Sequence, residues 1–96
     1  MLGPAITRAR NERNIKQQQL AHAVGLPRSL ISHYERCFTG KRYYIPPAEH
    51  LADIARVLGL DVTTLQYYAM IDRARIEYGD DFVARVQARR DLKLSL

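Results

Sequence analysis

Gln17-Gln18-Gln19-Leu20-Ala21-His22-Ala23-Val24-Gly25-Leu26-Pro27-Arg28-Ser29-Leu30-Ile31-Ser32-His33-Tyr34-Glu35-Arg36 is the stretch that decides the fold. Counted from Gln17, the small Ala21 stands fifth, Gly25 ninth, Ile31 fifteenth and Tyr34 eighteenth. Each position has a steric task. Ala21 lets a following helix approach closely, and Gly25 tolerates the positive φ of a sharp helix end. Pro27 suits the opening of the next helix, where its missing N–H is not needed. Val24, Leu26, Ile31 and Tyr34 then seal the contact, while Leu20 faces the remaining core. The spacing predicts two short helices joined by a tight turn. In such a pair the first helix lies across a nucleic-acid backbone and the N-terminal turn of the second enters the major groove.

Outward from this stretch the chain reads as helix. Gly3-Pro4 opens a first helix in which Ile6, Ala9, Arg10 and Arg13 share a face until Asn14 closes it. The third helix ends at Arg36 or runs on toward Gly40, and Cys37 to Ile45 is expected to be a loop, closed by Pro46-Pro47. Leu51, Ile54, Ala55 and Leu58 recur at the spacing of a buried stripe, ended by Gly59, and make a fourth helix. Asp61 is a good N-cap for a fifth, reaching Tyr78 before Gly79, and Asp80 or Asp81 caps a short sixth containing Phe82, Val83 and Val86. Only the last residues, Leu92, Leu94 and Leu96, alternate as a strand would, to join a partner or stay disordered. The fold class is all-α, without internal repeats or low-complexity segments.

Composition narrows the function. With 96 residues, 47% of them hydrophobic, the chain can bury one modest core but not two, so a catalytic cleft between domains is not expected. The single cysteine, Cys37, has no partner for a disulfide or thiolate metal site and no neighbouring base to activate it. The three histidines lack ligand-like spacing, so neither metal nor cofactor is implied, and His22 and His50 read as exposed residues without a task. No apolar run approaches the ~20 residues that span a bilayer, and no signal peptide is evident; a soluble protein in a reducing cytoplasm is the expectation. The formal net charge of +5 is uneven. Residues 1–44 hold eight Lys or Arg against two acids, +6, while residues 45–96 hold seven against eight, −1. A polyanionic partner for the first half fits, because Lys and Arg gain affinity by releasing counterions from phosphates.

The fragments Ile15-Lys16-Gln17-Gln18-Gln19-Leu20-Ala21, Val24-Gly25-Leu26, Ile31-Ser32-His33-Tyr34-Glu35 and Leu51-x-x-Ile54-Ala55-x-x-Leu58-Gly59-Leu60 stand in a telling order and spacing. From Gly3 to about Leu65 the chain resembles the Cro and lambda-type repressors, the XRE family of helix-turn-helix proteins. The resemblance implies a bundle of five helices that binds double-stranded DNA, with a structural pair between Arg10 and Glu35. It implies a phosphate contact for Gln17 and base contacts for Arg28, Ser29, Ser32 and His33. The chemistry of these side chains agrees: Arg28 can bond guanine O6 and N7 in a bidentate way, and the serines can reach several base edges. Leu30, between them, meets a thymine methyl or rests on the core. The sequence departs from the family at Cys37, where glycine is usual, and in a longer loop after Glu35. There Lys41-Arg42-Tyr43-Tyr44 combines cations with phenols suited to a phosphate strand.

Residues 1–66 are therefore expected to form the DNA-binding domain, and 67–96 a helical extension. On the fifth helix Leu65, Tyr68, Ala69 and Asp72 form one stripe, and Tyr67, Met70, Ile71, Ala74 and Tyr78 another. The second stripe is expected to be a homodimer interface, which would set two recognition helices about 34 Å apart on a palindromic operator. Its alternative is a larger monomer core completed by Phe82, Val83 and Val86. The resemblance implies a transcriptional repressor. An antitoxin that holds a toxin protein and controls its own operon is the alternative. An enzyme is not expected, since no nucleophile with a base, no carboxylate pair and no phosphate-cradling loop stands out.

Overall fold

The computed structural model describes the backbone of residues 1–36, 38–39 and 42–95, and the side chains of residues 1–36 and 44–89. Among the described residues the helices are α1 (Leu2–Glu12), α2 (Gln17–Val24), α3 (Arg28–Arg36), α4 (Ala48–Leu58), α5 (Val62–Tyr78) and α6 (Asp80–Ser95). Two short strands, β1 (Phe38–Thr39) and β2 (Arg42–Tyr43), lie between α3 and α4.

Local chemistry sets the helix ends. Gly25 takes φ 70° and ψ 31°, and the Leu26 N–H returns to the Ala21 carbonyl at 3.0 Å, which turns the chain sharply from α2 into α3. A Cβ at Gly25 would meet nothing within 4 Å, so the dihedral rather than crowding demands glycine here. Asn14, at φ 54°, ends the first helix in the same left-handed region. Asp61 accepts the Thr63 N–H at 2.9 Å and caps α5. The first helix begins one residue before Gly3-Pro4, at Leu2, which leaves Pro4 in the first turn where it costs no hydrogen bond.

One cluster joins α1 to α5. Leu2, Ile6, Leu20, Ile31, Leu51, Ile54 and Leu58 are almost wholly removed from solvent, and each such burial contributes about 1.5–3 kcal/mol. Leu30 is half-buried and packs on this cluster. Two features, one polar and one steric, hold α1 in place. The buried Asp72 of α5 accepts from the nitrogens of Leu2 at 3.0 Å and Met1 at 3.3 Å, satisfying donors that a helix start leaves open. Gly3 lies so close to α3 that a Cβ there would collide with the Glu35 carbonyl oxygen.

Three expectations are corrected. The segment after α3 does not extend the helix and is not simply a loop: β1 and β2 pair antiparallel, Phe38 opposite Tyr43 and Thr39 opposite Arg42. Aromatic and β-branched residues on either side of Gly40-Lys41 carried that signal. The sixth helix is not short. It runs for 16 residues, and the backbone of Leu92 and Leu94 is helical, so their alternation does not mark a strand; Leu96 lies outside the described residues. Strong helix formers around them (Ala84, Gln87, Ala88, Arg89) outweigh a three-leucine pattern. Finally, α6 folds back on α5, so Ile71 is buried within the chain, as is Val83, whereas Phe82 and Val86 stay exposed. The 66/67 boundary falls inside the uninterrupted α5.

Gly3→Ala is expected to destabilise the protein by about 1–3 kcal/mol, because α1 must shift away from the α3 backbone. A urea midpoint equal to that of the parent would show that the two helices are free to separate.

Candidate nucleic-acid interface

The Glu35 carboxylate is the point from which the interface is built. Its Oε1 accepts from Thr7 Oγ1 at 2.8 Å and from Arg10 Nε and Nη2 at 3.0 and 2.9 Å, and its Oε2 accepts from Gln17 Nε2 at 3.0 Å. Arg10 spends a further donor, Nη1, on the Ile15 carbonyl at 2.8 Å. One buried carboxylate thus ties α1, the chain entering α2, the first residue of α2 and the end of α3. Each bond is charge-assisted, which offsets the cost of taking the carboxylate out of water.

With that side of α3 held inward, the opposite side faces solvent. Arg28 and Ser29 are exposed, Ser32 and His33 half-buried, and Arg36 exposed. Together with Gln17 they line one open depression of about 410 Å³. Among the described residues no carboxylate pairs with Arg28 or Arg36, so the depression presents unneutralised cations. Gln17 gives one amide hydrogen to Glu35 and keeps the other. It also stands at the start of α2, where open backbone N–H groups and the helix dipole favour a phosphate.

The expected residues therefore converge, with qualifications. His33 stacks on Tyr44 with ring centroids 4.2 Å apart and planes within 11°, and its Nδ1 is buried without a partner among the described residues. Tyr44, expected on phosphates, is half-buried against that ring. The side chains of Arg42 and Tyr43, and Cys37, Gly40 and Lys41 altogether, lie outside the described residues. His22 is exposed, but His50 is not idle: its Nδ1 lies 2.7 Å from the Tyr34 hydroxyl, and burial raises the Tyr34 phenol above its ordinary pKa. Two residues were missed. Thr7 joins the Glu35 cluster, and Arg36, which donates to Ser32 Oγ at 2.7 Å, joins the exposed face. The i, i+4 spacing of Ser32 and Arg36 could have revealed the second.

Of the second α5 stripe, Ile71 is buried, Tyr67 and Ala74 are half-buried, and Met70 and Tyr78 are exposed at 54% and 60%. The Tyr78 ring meets Phe82 of α6 at 4.8 Å, so the exposed apolar surface continues from one helix to the next. Among the described residues no group of three His, Cys, Asp or Glu side chains is placed to hold a metal, and no helix is long and apolar enough to cross a membrane.

Two helices crossing at a glycine turn, the second with its outer face open and cationic, define a helix-turn-helix protein of the DNA-binding kind. The family model described as Helix-turn-helix matches residues 6–65, more than half of the chain, and the protein belongs to that family, of the Cro/C1 or XRE type. It is a DNA-binding transcriptional regulator by that membership. Among solved structures, one titled as a SinR protein/SinI protein complex shares the fold, with a TM-score of 0.57 and 20% identity over 100% of both chains. Among curated proteins none matches the chain.

Glu35→Ala is expected to cost about 3 kcal/mol or more, because Arg10 would keep its buried charge without a counterion. Equilibrium denaturation measures this, and a loss below about 1 kcal/mol would mean that the cluster does not hold the helices together.

Proposed function

We propose that the protein is a sequence-specific repressor that binds a palindromic operator as a homodimer, with α3 in the major groove. The observation that carries this reading is the single open depression shared by Gln17, Arg28, Ser29, Ser32 and His33, on the side of α3 away from the core. Arg28, at the first turn of α3, is the best-placed base reader, since its guanidinium suits guanine O6 and N7. Ser29, Ser32 and His33 add contacts along the same face, and Gln17 anchors a phosphate. Lys41, Arg42 and Tyr43, which combine cations with a phenol in the sequence after Gly40, add phosphate contacts that do not depend on sequence. The repressing sense follows the resemblance to Cro and lambda-type repressors.

The homodimer reading rests on exposed apolar side chains, Met70 and Tyr78 of the expected stripe and Phe82 and Val86 of α6, with Tyr78 touching Phe82. Such a patch on a small protein marks a contact. Charge supports a second copy as the occupant: α6 begins with Asp80 and Asp81 and carries Arg85 and Arg89 beside Phe82 and Val86, so two α6 helices running antiparallel set unlike charges together. The same patch also suits a different protein, as in the antitoxin reading, and the similar structure is titled as a complex of two proteins. Co-purification of an unrelated small protein in stoichiometric amount would favour that reading.

Selection of bound DNA from a random pool is expected to return a palindrome, and a pool that shows no enrichment would refute sequence-specific regulation. Arg28→Ala should then cost about 1–3 kcal/mol on the selected site and relax preference at one base pair. Met70→Glu combined with Tyr78→Glu is expected to give monomers in sedimentation velocity; dimers surviving both changes would place the interface elsewhere.

A further inference from the structure

We infer that Arg36 is a second sequence-reading arginine, aimed by Ser32, and that Ser32 acts on DNA chiefly through it. The inference rests on the regulator reading and adds a residue to its recognition face. At ~100° per residue, Arg28, Ser32, Arg36, Ser29 and His33 fall in that angular order over one arc of about 140°. Arg36 lies in the middle of the arc. By position along the chain it is the last residue of α3, from where an extended arginine would reach outward toward the sugar–phosphate edge. The structure holds it otherwise. Its Nη2 donates to Ser32 Oγ at 2.7 Å, one turn back toward the N-terminus, and the side chain lines the same depression as Arg28 and Ser29.

This bond selects a function for each partner. Ser32 accepts a strong charge-assisted bond and is left with its hydroxyl proton as a donor. Arg36 spends one of its five N–H groups and keeps one complete two-donor edge, the fork that matches guanine O6 and N7. Among the described residues no carboxylate competes for that edge. A guanidinium already oriented by Ser32 loses less rotamer freedom on binding than a free one, which favours a fixed base contact over a mobile phosphate contact.

The test compares base preferences of the parent, Arg36→Ala, Arg36→Lys and Ser32→Ala by selection from a random DNA pool, with salt titrations on the selected site. All three changes are on the solvent side of α3, and thermal melts of each variant check that folding is unaffected. The expected result is that Arg36→Ala and Arg36→Lys both lose preference at the same guanine, one distinct from that affected by Arg28→Ala, with about tenfold weaker binding to the parent site. Ser32→Ala should weaken preference at that same position. A profile unchanged in Arg36→Ala, with affinity lowered on all sequences and a shallower salt slope, would identify a phosphate contact and overturn the inference. So would an Arg36→Lys profile like the parent's, since lysine cannot present the fork. A parent protein that enriches no sequence overturns the regulator reading and this inference together, whereas the two preceding results overturn this inference alone.

Discussion

The rest of the structure depends on a carboxylate in an expensive place. Glu35 is nearly buried, and a carboxylate there costs several kcal/mol of lost hydration unless its lone pairs are matched. Thr7, Arg10 and Gln17 match them, and they come from α1 and from the start of α2. Against a well-packed apolar replacement such a cluster gains little stability. Its contribution is registry: the donors have fixed positions, so α3 cannot roll about its own axis without breaking several bonds at once. Gly3 adds a steric limit on the same contact, because α1 and α3 approach to a distance that only a residue without Cβ allows.

That registry explains why so much of the interface was legible in the sequence. Ala21, Gly25, Ile31 and Tyr34 are separated by distances that only one crossing of two helices satisfies, and that crossing exposes the face of Arg28, Ser29 and Ser32. The donors to Glu35 were only partly legible. Arg10 was implied by resemblance, but Thr7 and the Gln17 amide meet Glu35 through space, and nothing in a linear spacing announces contacts across 28 and 18 residues. Arg36 escaped for a different reason: an arginine at a helix end reads as solvated until the bond that draws it back to Ser32 is visible.

The C-terminal third was less legible, for physical reasons. The apolar residues of α5 are spread around the helix with no dominant face, so its pattern could not say which side meets α1 and α4 and which meets something else. The answer lay in α6, whose weak amphipathicity hid its length. Once α6 packs on α5, Ile71 and Val83 leave the surface, and Met70, Tyr78, Phe82 and Val86 remain. The dimer and larger-core expectations were therefore not exclusive. Part of the stripe completes the chain's own packing, and part stays exposed.

The segment after α3 adds a second restraint on that helix. His33 lies on the exposed arc of α3, and Tyr44, from the chain leading into α4, stacks flat on its ring. Glu35 holds one flank of α3 to α1 and α2, while this stack holds the other to the segment beyond the hairpin. A side chain used to seat another ring has less freedom to search for a base, so His33 is better suited to shaping the edge of the reading surface than to serving as its most discriminating contact. The restraint favours binding in another way. On the proposed reading, a helix already fixed on both flanks would lose little ordering entropy on entering a groove, so more of the contact energy of Arg28 and its neighbours would be available to tell one sequence from another.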